Sequence, residues 1–240
     1  MPWGRYVLGY HGCDSALARS VASGRRDLQS SENDFDWLGH GRYFWEESPR
    51  RAIEWATAES RRRNSQIKNP GVLGAVIDLG NCLNLIDADF IELVRKAHSR
   101  LLEIAKDAGQ TLPRNAGKDF GARRLDCAVF EALHQFRIDE GLPAFETVRA
   151  FFIEGKPIYR GAGLRHLDHI QICVREPKQI LGYFLPRALD PQRAQPLRDK
   201  IDAALVEGIE SGPSTPMTAQ DWDDIRREGR RRLAKRKKTK

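Results

Sequence analysis

The chain has 240 residues, of which 40% are hydrophobic and 30% charged, so its composition predicts a folded core and excludes a wholly disordered protein. No apolar run approaches the roughly 20 residues that span a bilayer, which excludes a membrane-spanning helix. The net charge is +7, but residues 219–240 hold ten Lys or Arg and four Asp or Glu, a balance of +6. The basic character therefore belongs to the C-terminal tail, and the body is close to neutral.

The four cysteines are scattered and form no Cys-x-x-Cys pair, which disfavours a structural zinc site. Their apolar neighbours predict buried, reduced thiols. The first residues contain no apolar signal region. We therefore predict a cytoplasmic protein.

The first third of the chain predicts two strands and two helices joined by a polar loop. A β-branched and aromatic run favours the first strand, and Ser48-Pro49 is typical of a helix N-cap and first helical position. The predicted elements are a strand over 5–10, a helix over 15–22, a loop over 25–36, a strand over 41–45 and a helix over 49–63.

The middle of the chain predicts strands that flank two inserted helices. Asp89-x-x-Glu92 has the pattern of a capping box, and Gly109 and Gly141 end the helices that precede them. The predicted elements are strands over 73–79 and 82–85, helices over 89–109 and 125–140, an irregular segment after Phe151-Phe152-Ile153, and strands over 169–175 and 179–185.

After Pro186 the composition changes to that of a linker and a charged tail. Helices are predicted over 197–209 and 222–236, separated by Ser211-Gly212-Pro213. The predicted domains are thus 1–190 and a helical, basic tail, 191–240.

Two N-terminal segments carry the most specific pattern. They are Gly9-Tyr10-His11-Gly12 and Leu38-Gly39-His40-Gly41-Arg42-Tyr43-Phe44-Trp45. Together they resemble the nicotinamide-binding half of the ADP-ribosyltransferase superfamily, in the branch shared by diphtheria-toxin-like enzymes and poly-ADP-ribose polymerases. The resemblance implies an α+β fold, with a split, mainly antiparallel sheet pair around an NAD cleft and helices inserted between Asp87 and Gly141.

The resemblance also implies roles for individual residues toward NAD, the substrate that the superfamily uses. His11 would hydrogen-bond an adenosine-ribose hydroxyl, and Gly12 would let the backbone approach the nicotinamide amide. Tyr43 would stack on nicotinamide, while Phe44, its neighbour on the strand, would face the core. The implied NAD-binding segments comprise Tyr10, His11, Gly12, Gly39, Gly41, Tyr43 and Phe44.

The catalytic position departs from the family pattern. By register, Gln171 stands where the resemblance implies a glutamate that stabilises an oxocarbenium-like transition state. Gln can hydrogen-bond a ribose hydroxyl but carries no charge. Glu46, which directly follows the Tyr43 strand, is an alternative carboxylate, ahead of Glu131 and Glu146. The spacing of His166, Asp168 and His169 matches no zinc pattern, so no metal is predicted.

The resemblance implies mono-ADP-ribosyl transfer from NAD to an unknown protein or nucleic-acid acceptor, in a bacterial toxin–antitoxin or phage-defence setting. Two alternatives stay open. One is a binding module for NAD or ADP-ribose that has lost catalysis, and the other is an NAD glycohydrolase, in which water is the acceptor.

The tail is similar to the C-terminal arm of ParD-type antitoxins, with a helix, a Ser-Gly-Pro break and a second charged helix over about 40 residues. Three interpretations follow: an arm that wraps a cognate toxin or this chain's own domain through Trp222 and Ile225, a basic arm that binds nucleic acid, or a solvated terminus.

Overall fold

A computed structural model of the chain describes residues 6–117, 121–187 and 218–238, together with the single residues 203, 206, 207 and 210. The chain divides into two units, Met1–Leu189 and Asp190–Lys240. Within the described ranges, no helix combines the length and apolarity needed to cross a membrane. Of the tail helix predicted over 197–209, the structure describes only residues 203, 206 and 207, which are helical, and the rest lies outside the described residues.

The described part of the first unit contains one seven-stranded sheet, which confirms the α+β class. Its strands are β1 (Tyr6–Asp14), β2 (Arg42–Glu46), β3 (Pro70–Asp78), β4 (Cys82–Asn84), β5 (Thr147–Phe152), β6 (His169–Val174) and β7 (Ile180–Phe184). The order across the sheet is β4-β5-β6-β2-β1-β3-β7, and every neighbouring pair is antiparallel except β4–β5. The expected pair of sheets is instead one hydrogen-bonded sheet. Its shortest strand pairing is β1–β2, which has only two register pairs.

Two of the helices begin after an aspartate whose side chain caps them. The described residues contain α1 (Ser15–Ala22), α2 (Pro49–Ser60), α3 (Ala88–Asp107), α4 (Arg124–Asp139) and α5 (Ala219–Lys238). The Asp14 carboxylate accepts from the Ala16 amide, and the Asp87 carboxylate accepts from the Asp89 amide. The N-cap of α3 is therefore Asp87, two positions before the Asp89 that the capping-box pattern predicts.

The sheet has two covered faces. On the α1 face, Ala18 and Val21 pack with Phe44 and Ile77. On the opposite face, called here the α2 face, α2 packs through Ala52 against Trp45, while α3 and α4 cover the other end. Because strand side chains alternate, each strand supplies both cores, and register decides which core a residue joins.

Strand β5 was not predicted from the sequence, in which Phe151-Phe152-Ile153 is named only as the segment that precedes an irregular one. Arg149 stands in the middle of this strand and interrupts its apolar pattern. The structure shows why a charge is tolerated there: Arg149 forms a two-bond ion pair with Glu46.

Candidate functional site

His11 lies where strands β1 and β2 separate. The β1–β2 pairing ends at Tyr10 and Trp45, and beyond it the His11 Nδ1 lies 2.8 Å from the Tyr43 carbonyl oxygen. A carbonyl oxygen only accepts, so Nδ1 carries the proton and Nε2 is an acceptor in the neutral ring. Burial lowers the pKa of His11 despite this hydrogen bond, which keeps the ring neutral at pH 7. A ligand hydroxyl would therefore donate to His11 Nε2.

The Tyr43 side chain leaves the sheet on the other face. The His11 ring contacts Phe44 at a centroid distance of 5.9 Å, and Phe44 is completely buried in the α1-face core. Tyr43, next on the strand, therefore points to the α2 face. Its hydroxyl donates to the Gly39 carbonyl at 2.5 Å and accepts from the Leu38 amide at 2.8 Å. Burial raises the Tyr43 pKa, so the phenol stays protonated. The His11 and Tyr43 side chains thus come from neighbouring strands but lie on opposite faces of the sheet.

The glycines of the motif are required by packing within the protein. A Cβ on Gly39 would lie 2.5 Å from Glu131 Oε1, at a φ of +80° that already favours glycine. A Cβ on Gly41 would collide with Cys173 Sγ, and one on Gly12 with the Ala52 carbonyl oxygen. The space beside each of these glycines is thus occupied by the chain itself.

Gln171 reaches the α2 face beside Trp45. The two residues are directly paired across β2 and β6, so their side chains share a face. Tyr10 is the β1 partner of Trp45 and packs in the same small core. Gln171 is half-buried, and no hydrogen bond to its amide is formed by the part of the chain that the structure describes. It is free to bond a ligand hydroxyl.

Around Gln171 the structure assembles a set of rings that we call the aromatic row. Neighbouring rings have centroid distances of 5.7, 6.2, 5.6 and 4.7 Å, in the order Trp55, Trp45, His169, Phe152 and Trp37. The rings come from α2, β2, β6, β5 and the loop before β2, so the row exists only in the folded protein. Of its members, Trp45 belongs to the sequence motif, whereas nothing in the sequence indicates that the five rings come together.

Several buried polar atoms along the aromatic row have no hydrogen-bond partner among the described residues. They are Trp45 Nε1, Arg51 Nε, Arg123 Nε and His169 Nε2. His169 Nδ1 lies 2.7 Å from the Leu167 carbonyl oxygen, so in the neutral ring its Nε2 is an unpaired acceptor. Buried polar atoms are nearly always paired, and a concentration of unpaired ones indicates a site that takes water or a ligand.

Most carboxylates near the motif are already paired. Glu46 lies on the α1 face, 2.5 and 2.8 Å from the Arg149 guanidinium, away from Gln171. Glu131 accepts from the His40 amide and Arg175, and Glu146 pairs with Lys178. The carboxylate beside the aromatic row is Glu154, 3.2 Å from Arg51 and 3.7 Å from His169 Nδ1. The sequence analysis missed it because it follows the unrecognised strand β5.

A separate cavity of about 490 Å³ lies beside the C-terminal half of α4. His134, Phe145, Arg175 and Lys178 contribute to its lining, and of the candidate catalytic and NAD-binding residues only Glu146, one of the less favoured carboxylates, does so. Within the described residues, no group of three or more His, Cys, Asp or Glu side chains is arranged to hold a metal ion.

Comparison with known proteins gives little further information. No family model matches the chain, and no solved structure matches it. An uncharacterized protein of Methanocaldococcus jannaschii, MJ0359, is 24% identical over 198 residues, which cover 75% of this chain and 89% of the archaeal protein.

Proposed function

We propose that the chain is a mono-ADP-ribosyltransferase that uses NAD as its donor, with the reaction centred on Gln171 and the aromatic row. The observation that supports this most is the pairing of Gln171 with Trp45. It sets a free amide beside aromatic faces and unpaired buried polar atoms, on strands that carry the sequence motif. A flat pyridine ring, a ribose and an amide match the chemistry of such a lining.

In the reaction, the bond between the nicotinamide nitrogen and ribose C1′ breaks, and nicotinamide leaves with the electron pair. The nucleophile of the acceptor forms the new bond to C1′ and loses its proton. The Gln171 amide would hold a ribose hydroxyl during this step, and Glu154 would supply negative charge near the developing cation. His11 lies on the opposite face of the sheet from Gln171, so a contact of its Nε2 with the second ribose requires NAD to pass through the gap where β1 and β2 separate. Trp45 and Tyr43 would border the nicotinamide.

The second candidate is a non-catalytic module that binds NAD or ADP-ribose. Its support is that Gln171 is uncharged and that Glu154 already pairs with Arg51, which weakens its field at the ribose. NAD hydrolysis, with water as the acceptor, would use the same residues. The cytoplasmic location and the toxin or phage-defence setting belong to the proposal and rest on the resemblance.

The decisive experiment measures NAD binding by calorimetry and nicotinamide release with and without cell extract. The variants are Gln171→Glu, Gln171→Ala and His11→Ala. Gln110→Glu, the same chemical change at an exposed residue after α3, is the matched control.

We expect wild type to bind NAD and to label a macromolecule, and Gln171→Glu to release nicotinamide faster because the carboxylate adds charge at the cation. Binding of NAD without nicotinamide release in any variant would favour the binding module. Nicotinamide release without a labelled macromolecule would favour hydrolysis. The absence of NAD binding in the wild type would refute the transferase, the hydrolase and the binding module alike.

A further inference from the structure

The connection between β5 and β6, residues 153–168, is an ordered loop whose two sides are hydrogen-bonded to each other. Its two sides are joined by backbone bonds from the Leu167 amide to the Glu154 carbonyl and from the Ile158 amide to the Leu164 carbonyl. The Asp168 carboxylate closes its base by accepting from the amides of Glu154 and Arg165. This hydrogen bonding holds the tip residues in defined positions, and we call the segment the 153–168 loop.

The tip of the 153–168 loop exposes large apolar side chains. Tyr159 is 67% exposed, Leu164 61% and Ile158 51%. Single exposed apolar residues are ordinary on protein surfaces, but three on one short ordered tip indicate an interaction surface.

The charge of the same tip is positive. Lys156, Arg160 and Arg165 lie on it, and in the described part of the chain no carboxylate forms an ion pair with any of them. The two acids of the loop face its base: Glu154 contacts Arg51 and His169, and Asp168 accepts the backbone amides that close the loop. The tip therefore presents three cations and an exposed phenol ring.

We propose that the 153–168 loop binds single-stranded nucleic acid. Three unpaired cations match the phosphates of an extended strand, and Tyr159 offers a face on which a base can stack. A duplex would cover its bases and leave the ring without a partner. The base of the loop lies beside the aromatic row, because Glu154 contacts Arg51 and His169. That the strand is also the ADP-ribose acceptor rests on the proposed function, whereas the binding does not.

The test measures binding of labelled oligo-dT and oligo-U to the full chain by fluorescence anisotropy, without NAD, over a series of KCl concentrations. The variants are Tyr159→Ala and the triple Lys156→Gln/Arg160→Gln/Arg165→Gln. Tyr159→Phe is the control that keeps the ring, and Arg226→Glu/Arg227→Glu is the control for the basic tail helix α5. Thermal melting verifies that each variant is folded.

We expect Tyr159→Ala to weaken binding about tenfold and Tyr159→Phe to bind as wild type, since stacking uses the ring and not the hydroxyl. The triple variant should reduce the slope of log K against log salt by about 2, because each phosphate contact on a single strand contributes about 0.7. A preference for oligo-U over oligo-dT would identify RNA as the ligand, and the reverse would identify DNA.

Two results would overturn the proposal. One is binding whose strength and salt slope change only in the tail variant, which would move the site to α5. The other is no binding of either oligonucleotide at the lowest salt, which would leave the tip as a surface for a protein. Because NAD is absent from these measurements, a failure of the proposed activity would not affect their outcome.

Discussion

Glu46 is the carboxylate that directly follows the motif, and the structure predicts that it stabilises the fold rather than takes part in catalysis. Its side chain is 11% exposed and that of Arg149 19%, and the two share two hydrogen bonds. Breaking a fully buried pair costs about 3–5 kcal/mol, and breaking an exposed one about 0–1. Glu46→Gln keeps one acceptor in a mostly buried position, so we expect a loss of about 2 kcal/mol of unfolding free energy.

For a unit of this size, that loss lowers Tm by about 4–8 °C in a thermal melt followed by circular dichroism. Glu92→Gln is the matched control, because Glu92 forms an exposed two-bond ion pair with Arg95 on α3 and should shift Tm by less than about 2 °C. In a double-mutant cycle with Arg149→Met, a coupling of about 1.5 kcal/mol is expected. An unchanged Tm for Glu46→Gln, or no coupling to Arg149, would refute this reasoning and return Glu46 to the candidate catalytic residues.

Three further predictions concern stability. Burial lowers the pKa of His134 to about 3, and neither ring nitrogen has a hydrogen-bond partner in the described part of the chain. Below the unfolded pKa of about 6.5 the unfolded chain binds a proton that the folded one does not, so His134→Leu should gain about 2 kcal/mol over wild type at pH 5 in urea melts. An equal gain at pH 8 would contradict this origin. Gly39→Ala should lower the unfolding free energy by about 2–4 kcal/mol, because the new Cβ would collide with Glu131 and the positive φ would strain the alanine. Gly24→Ala, at a similar φ but with open space around the Cβ, should lower it by only about 1 kcal/mol. Similar losses in both variants would argue against the contact with Glu131. Tyr43→Phe removes the hydroxyl bonds to the 38–39 turn and should lower stability by about 1–2 kcal/mol, and a melt identical to wild type would show that these bonds do not hold the turn.

Local sequence patterns predicted most of the elements because their signals lie within a few residues. Helix α1 has the predicted bounds, Ser15–Ala22, and α2 begins at Pro49 as the Ser-Pro pair indicates. The errors occur where a distant partner changes the local preference. Strand β5 contains a charged Arg149 that is stabilised by Glu46, a residue far away in the chain.

The candidate site shows the same division between local and distant information. The motif drew attention to His11, Tyr43 and Gln171, and pairing across β1, β2 and β6 does bring these segments together. Nothing in the local sequence marks Glu154 or Arg51 as part of a site, because an acid after a strand and an arginine on a helix are ordinary surface residues. Only the fold brings them beside the buried imidazole ring of the aromatic row.

The sequence alone thus determined the class of the fold, the main helices and strands, and the segments that carry the motif, because periodicity, caps and turn residues act over short distances. Only the tertiary structure decided that His11 and Tyr43 leave opposite faces, that Glu46 is held by Arg149, and that rings from five segments form one row. Those outcomes depend on strand register, because a shift of one residue moves every side chain of a strand to the other face.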